Sequence, residues 1–555
     1  MTPARRQALL ELGVLAAILV LAAVVRLPGI DVRGQWDSDQ GKDMTVLAAF
    51  VQHGQWPLLG PMTSVGTFHH GALYYYLLAP AAFLSGADPV AVTIEFALLG
   101  IAAVAATWWL ARLVGGPMAA AVAALLLAVS PAGISESTFI WNPNPIPLFA
   151  ALAAGGVIAA RRSGRLRWWV IAAVGTMATM QLHWLGGTMA APVALAWALE
   201  LRRARREGRD TAVLRRAGII GVAVLVAGYL PLAIHEVTHD ASELRAIAAY
   251  ALGGGDSAQT GILGRLLMVG VRALTWPVAG LLTDRVSASL AALAIVVTAG
   301  AVGVTLAGRR STTAEARADA RPGKPEAGAG AEADERWAAR WLVGAIGLSV
   351  VALAFLAPSL AVIVPGLPND HYHAFLDPIV VTLVGLGVAV LVRAGRTASR
   401  TALLAPAMGA ALAAALAGIA VTAWPPAISP DGGWRLVDLA AGHIVVGVHG
   451  NYPTEPRILA SLPDFKPDDA LRFPLDRRGF GLEPKGAAEA GTTGVLTIVC
   501  DPLFDESKGF PCGGPAEDKF LAATYPPGTL QLAERFRAGA RRIISIYAPS
   551  RLASH

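Results

Sequence analysis

The chain alternates between long uncharged runs and short clusters of arginine. Crossing a bilayer as a helix takes about 20 mostly apolar residues. Runs of that kind fall at 9–26, 88–112, 117–135, 144–160, 168–183, 187–201, 215–235, 286–308, 341–362, 376–393 and 400–423, which predicts eleven membrane helices. The runs at 168–183 and 187–201 are short and flank His183-Trp184-Leu185-Gly186-Gly187, so they read as a tight hairpin. The first run follows Arg5 and Arg6 but has no small-residue cleavage site before Arg26, so it reads as a retained helix. One set of alternate loops holds Arg161, Arg162, Arg165 and Arg167, then Arg202, Arg203, Arg205, Arg206 and Arg209. The same set continues with Arg309 and Arg310, and with Arg393, Arg396 and Arg400. The opposite loops at 136–143, 184–186 and 363–375 carry no Lys or Arg. The positive-inside rule then places the N-terminus in the cytoplasm and, after eleven crossings, the C-terminus outside.

Three pieces lie off the membrane. Residues 27–87 form a first external loop, and 311–336, rich in Ala, Gly, Glu and Arg, read as a disordered cytoplasmic linker. Residues 424–555 are a tail of domain size, with strand-like runs at Ile444–Val448, Val495–Val499 and Arg542–Tyr547 and helix-like stretches at 435–442 and 515–524. The expected fold class is therefore mainly α: a polytopic membrane domain over 1–423 followed by a small external α/β domain.

Composition agrees with the pattern. Of 555 residues, 55% are hydrophobic and 15% charged, against about 45–50% and about 25% in soluble domains. That excludes a disordered chain and argues against an ordinary cytosolic enzyme. The net charge of +6 sits in loop clusters, which is topological information and no footprint for nucleic acid. Heavy Ala and Arg usage points to a high-GC bacterium, hence a bacterial plasma membrane. The two cysteines, Cys500 and Cys512, lie in the tail. On the external side they can pair, stabilising the domain by roughly 3 kcal/mol; two unpaired thiols are the other reading.

Candidate chemistry begins at the first membrane exit, Gln35-Trp36-Asp37-Ser38-Asp39-Gln40-Gly41-Lys42-Asp43, with three carboxylates and a lysine. A carboxylate held at the membrane surface can act as a general base or as a metal ligand; a solvated turn-forming loop is the bland alternative. A stretch of helical period from Met44 to Val51 follows, then Gly54-Gln55-Trp56-Pro57 and His69-His70-Gly71-Ala72-Leu73-Tyr74-Tyr75-Tyr76. Further polar groups stand at predicted external helix ends: Glu136, Asn142 and Asn144 after the third run, Gln181 and His183 after the fifth, and His371 and Tyr372 before the tenth.

An acidic pair after the first helix, a Gly-x-Trp-Pro turn and a polar-Gly-x-Leu-Tyr-Tyr segment resemble the GT-C superfamily over roughly residues 9–400. The sequence is most similar to glycosyltransferase family 39, the protein O-mannosyltransferases, and to the bacterial transferases that move aminoarabinose onto lipid A. The resemblance implies an inverting transferase that takes a sugar from a polyprenyl-phosphate donor in the bilayer to an acceptor hydroxyl. The acceptor would be a protein, a cell-wall glycan or a glycolipid. It makes Asp39 the catalytic base; the family's Asp-Glu pair reads Asp39-Gln40 here, which leaves Asp37 as a rival. It assigns substrate binding to Lys42, Asp43, His69, His70, Tyr74, Glu136, Asn142, Asn144, His183, His371 and Tyr372, with Arg245 and Arg265 as further cations for the lipid phosphate. No cofactor is expected. Asp37 and Asp39 could hold a divalent metal, but the family generally needs none, and His371-Tyr372-His373 lacks further zinc ligands. A transporter or flippase is the alternative, although such proteins place acidic groups at mid-membrane depth. A structural protein whose tail binds cell-wall partners is a third reading.

Overall fold

The structure, a computed structural model, describes residues 2–63, 66–252, 260–280, 285–307, 326–361, 370–394, 404–463, 468–502, 505–539 and 542–550. Among the described residues nine helices are long and apolar enough to cross a membrane, or ten when the bent pair Ala212–Gly228 and Leu230–Thr238 counts as one span. Each predicted run has a helical counterpart. Two of them are fused in the 40-residue helix Pro89–Ala128, which breaks where Gly116 adopts φ 81° and ψ −167° ahead of Pro117. Both ends of that element stand at one end of the bundle: Arg477 reaches Asp88 at 3.2 Å, and Trp424 Nε1 donates to the Val129 carbonyl at 2.8 Å. It is therefore a pair of antiparallel spans.

The two ends of the bundle differ in chemistry. One gathers the arginines: Arg161 and Arg209 share Glu200 at 2.5 and 2.9 Å, Arg112 meets Glu11 at 2.8 Å, and Arg393 bonds Glu335. Glu335 belongs to the helix Glu326–Leu356. Residues 326–336, expected as linker, are thus helical; Ala and Glu favour a helix, and Glu335 and Trp337 anchor it against Arg393 and Arg161. The rest of that expected linker, 311–325, lies outside the described residues.

The other end carries the polar loops. The first external loop is built from the helices Ser38–His53 and Leu73–Ser85. The apolar stretch Ile262–Ala279, which lies outside the eleven expected runs, is also a helix and one of the nine. It runs along this end: Arg265 bonds the carbonyl of Ala354, the last turn of Glu326–Leu356, and Gly280 lies against Pro131. The next residue that the structure describes, Arg285, bonds Thr422.

The tail folds as a four-stranded sheet ordered β1-β2-β4-β3. Strand β1 (Arg457–Leu462) runs parallel to β2 (Val495–Cys500), with Leu459 opposite Thr497. Strand β4 (Arg542–Pro549) is antiparallel to both β2 and β3 (Leu530–Ala538), pairing Ile544 with Val499 and with Phe536. Cys500 and Cys512 form a disulfide. The expected strand Ile444–Val448 is corrected: it lies in the helix Gly433–Asn451. Val437, Ala440, Ala441, Ile444 and Val448 are its buried positions, a helical repeat whose packing overrides the β preference of a valine-rich run.

Candidate active site

The site begins with a helix start. Asp37 is the N-cap of Ser38–His53, and Gln40 completes the capping box by accepting from the Asp37 amide at 2.7 Å. The Gln40 amide nitrogen donates to the Ile140 carbonyl at 2.8 Å. A glutamate there could close the box but could not make that second bond, which gives the departure from Asp-Glu a structural use. Asp39, Lys42 and Asp43 follow at helical spacing and face one cavity of about 350 Å³, a volume within the range of about 300–1,000 Å³ typical of small-molecule sites. Asp39 is exposed. Asp43 is buried and accepts from the Tyr74 and Tyr75 hydroxyls at 2.7 and 2.9 Å. Burial raises its carboxyl to about 7, against the pull of the Tyr74 bond and with help from the charge of Asp39.

His70, His183 and His371 also line the cavity, clustered with Tyr372, Asn142 and Trp141. The His70 and His183 rings lie 4.7 Å apart and those of His183 and His371 5.4 Å apart; Trp141 packs on His371 at 4.2 Å. Burial, reinforced by the neighbouring histidines, keeps His70 and His183 well below the ordinary histidine range, so both are neutral. The Leu185 amide donates to His183 Nδ1 at 3.2 Å, which leaves the proton of the neutral ring on Nε2. Asn142 donates to the Leu182 carbonyl at 2.5 Å, tying its loop to this cluster. Phe68, Ile247, Tyr250 and Leu356 add apolar groups to the lining. The sequence reading missed these residues, since single apolar side chains in loops carry no signal.

Other expected site residues stand elsewhere. Asp37 is buried outside the cavity, with Arg542 of β4 at 3.5 Å. Neighbours in an extended segment point to opposite sides; thus His70 faces the cavity, whereas His69 turns to Glu243, 2.9 Å from Nδ1. Tyr74 is fully buried behind Asp43. Asn144 donates to the Phe139 carbonyl at 2.8 Å, a loop brace. Glu136 is buried outside the cavity, and burial, aided by Asp370, raises its carboxyl to about 8. Arg265 is used on the Ala354 carbonyl, and Arg245 is not on the cavity wall. A buried fork was unread: Arg272 grips Asp370 through Nε and Nη2 at 2.8 and 2.6 Å, and His373 bonds the same carboxylate at 3.0 Å. It holds the turn that presents His371 and Tyr372. Among the described residues no group of three or more His, Cys, Asp or Glu is arranged to hold a metal ion.

Fold and site together define a polytopic membrane protein with a polar, partly apolar cavity at the end of its bundle that meets the C-terminal sheet-bearing segment. The family model for dolichyl-phosphate-mannose-protein mannosyltransferases matches residues 69–229. The crystal structure of ArnT from Cupriavidus metallidurans bound to undecaprenyl phosphate shares the fold with a TM-score of 0.56 at 14% identity, covering 96% of this chain and 98% of that one. ArnT from the same organism in the apo state aligns over 98% of each chain at 13% identity, with a TM-score of 0.51. AglB from Archaeoglobus fulgidus, in complex with an inhibitory peptide and a dolichol-phosphate, overlaps 90% of this chain and 70% of its own at 13% identity, with a TM-score of 0.47. No curated protein sequence matches the chain. The resemblance to the GT-C superfamily is borne out, and the chain has the GT-C fold.

Proposed function

We propose that the chain is an inverting glycosyltransferase that moves a sugar from a polyprenyl-phosphate donor to an acceptor hydroxyl, with Asp39 as general base. One observation carries the reading. In a GT-C fold, the exposed carboxylate of Asp39 opens on a cavity shared with Lys42 and three imidazoles and lined in part by apolar groups. An apolar lining suits a lipid tail entering from the bilayer, and the ArnT structure of the same fold holds undecaprenyl phosphate.

The acceptor oxygen attacks the anomeric carbon as Asp39 takes its proton, forming the new C–O bond. The bond from that carbon to the phosphate oxygen breaks, and the leaving phosphate keeps the electron pair. Lys42 and the Nε2–H of His183 are the cation and donor able to meet its growing charge, with His70 and His371 beside them. Three neutral imidazoles serve as hydrogen-bonding groups here, and binding does not depend on their being charged. The products are an inverted glycoside and polyprenyl phosphate. We place the arginine-rich end in the cytoplasm of a bacterial plasma membrane and the cavity outside, and expect no metal requirement, because the leaving phosphate already faces Lys42 and imidazole donors.

The test uses protein in lipid nanodiscs with polyprenyl-phosphate mannose, arabinose, galactose and aminoarabinose, and membrane extract as acceptor. Release of polyprenyl phosphate from one donor, unchanged by EDTA and abolished in Asp39→Asn, is expected. Equal release by wild type and Asp39→Asn would remove the mechanism. Donor bound but never cleaved by the wild type would favour the transporter reading.

A further inference from the structure

The C-terminal domain reaches the helix that bears Asp39, and it does so at the first turn. Among the described residues no hydrogen bond or salt bridge holds the Asp39 side chain itself, so the backbone of that turn sets where the carboxylate stands. Asp431 and the tail clasp this backbone from several directions. The Trp36 amide donates to Asp431 Oδ2 at 2.8 Å and its indole N–H to the Ala470 carbonyl at 2.9 Å. The Ser38 hydroxyl meets Asp469 Oδ2 at 3.3 Å. The Trp36 ring packs on Trp434 and Phe473 with centroids 4.5 and 6.1 Å away. At the hub, Arg542 Nη2 donates to the Trp36 carbonyl and stands 3.5 Å from Asp37 Oδ1 and 3.7 Å from Asp431 Oδ2. Arg542 is buried, and among the described residues its Nε and Nη1 have no hydrogen-bond partner, so the polar contacts seen for it run to this turn and to Asp431.

We propose that the C-terminal domain is a working part of the active site, with Arg542 as a positioning residue that locks the first turn of Ser38–His53 so that Asp39 faces the cavity. The proposal rests on the reading of Asp39 as the base. A guanidinium within 4 Å of two buried carboxylates is held from both sides, and its loss would remove a cationic partner from each. It joins residues more than 500 positions apart: the cap Asp37, its neighbour Trp36 and the first residue of β4. Near-attack geometry tolerates little drift, and a misplacement of about 1 Å costs on the order of 100-fold in rate. Loosening this turn therefore lowers turnover more than donor affinity, since the imidazole wall stands on other elements and remains.

The experiment uses full-length protein in nanodiscs, comparing wild type, Arg542→Lys, Trp36→Phe and Asp39→Asn. Lysine keeps the charge but not the forked geometry, and Trp36→Phe removes one tail bond without exposing a charge. The readouts are kcat and KM with the donor that the wild type cleaves, binding of undecaprenyl phosphate, and amide hydrogen exchange. Arg542→Lys should lower kcat by about 10- to 100-fold, leave KM and undecaprenyl phosphate binding within about twofold, and speed exchange only over residues 37–45. Trp36→Phe should do the same to a smaller degree. Wild-type kcat and exchange in both variants would overturn the proposal. So would a fall in kcat with no local change in exchange, or faster exchange throughout the protein. Asp39→Asn separates the two ideas: it should be inactive with wild-type exchange, and activity in Asp39→Asn would sink the base assignment whatever Arg542→Lys does.

Discussion

Gly41 is where the helix bearing Asp39 touches the tail most closely. A Cβ placed there would lie 2.0 Å from the Asp469 carbonyl oxygen, 2.4 Å from its carbon and 2.9 Å from the Ala470 nitrogen. All three are backbone atoms, so no side-chain rotation relieves the clash. Reaching an ordinary contact of 3.4 Å requires the two helices to part by about 1.4 Å. Gly41→Ala therefore displaces the start of Ser38–His53 from Asp468–Arg477 and pulls at the bonds of Trp36 and Ser38. The expected cost is about 1–3 kcal/mol of stability, as for overpacking elsewhere, with a loss in turnover on the order of 100-fold. The assay is kcat and KM in nanodiscs alongside thermal unfolding. Gly418→Ala serves as control, since an added Cβ there meets nothing within 4 Å. Wild-type kcat and unfolding midpoint in Gly41→Ala would refute the close approach and the argument drawn from it.

Asp37→Ala should cost about 1 kcal/mol through the lost cap and lower turnover without abolishing it; complete inactivity at full stability and donor binding would instead make Asp37 the base. Asp43 holds a proton in the folded state up to about pH 7 that the unfolded chain releases near 4. Its contribution to stability therefore falls as pH rises from about 4 to about 7, by an amount on the order of 4 kcal/mol, and Asp43→Asn should flatten that part of the unfolding profile. A difference between wild type and variant that does not change with pH would contradict the buried carboxyl. Arg272→Ala removes the guanidinium from the buried Asp370 carboxylate, which keeps its bond to His373, and should destabilise by about 3–5 kcal/mol, read as a lower unfolding temperature; an unchanged temperature would argue against the fork.

How much of the site was readable depended on distance along the chain. That Asp39, Lys42 and Asp43 gather at the first membrane exit was legible; that they share one helix face was not, because the helical period read along the chain begins at Met44 whereas the helix starts at Ser38. Choosing Asp39 over Asp37 was not, since both are acidic and two residues apart. The choice emerges once the helix start is located and Asp37 is spent on its cap and on Arg542. The same holds for His69 and His70, separated only by the direction of an extended segment and by Glu243, 174 residues away. Arg265 and Arg272, seven residues apart in an apolar run, were a readable sign of a helix with one polar stripe; the partner Asp370 was not.

The sequence alone determined that the chain lives in a membrane as many helical spans, that its two ends differ in charge and that its polar chemistry gathers at one of them. These follow from the transfer energy of apolar runs and the placement of arginine, which act residue by residue. Tertiary structure decided which polar groups meet. The imidazole wall draws on loops from 70 to 371, and the clasp on Trp36 and Asp37 draws on Asp431, Asp469 and Arg542. Such contacts pair groups hundreds of residues apart, and no local periodicity records them. They form because buried charges and backbone donors must find partners wherever the packed helices bring them.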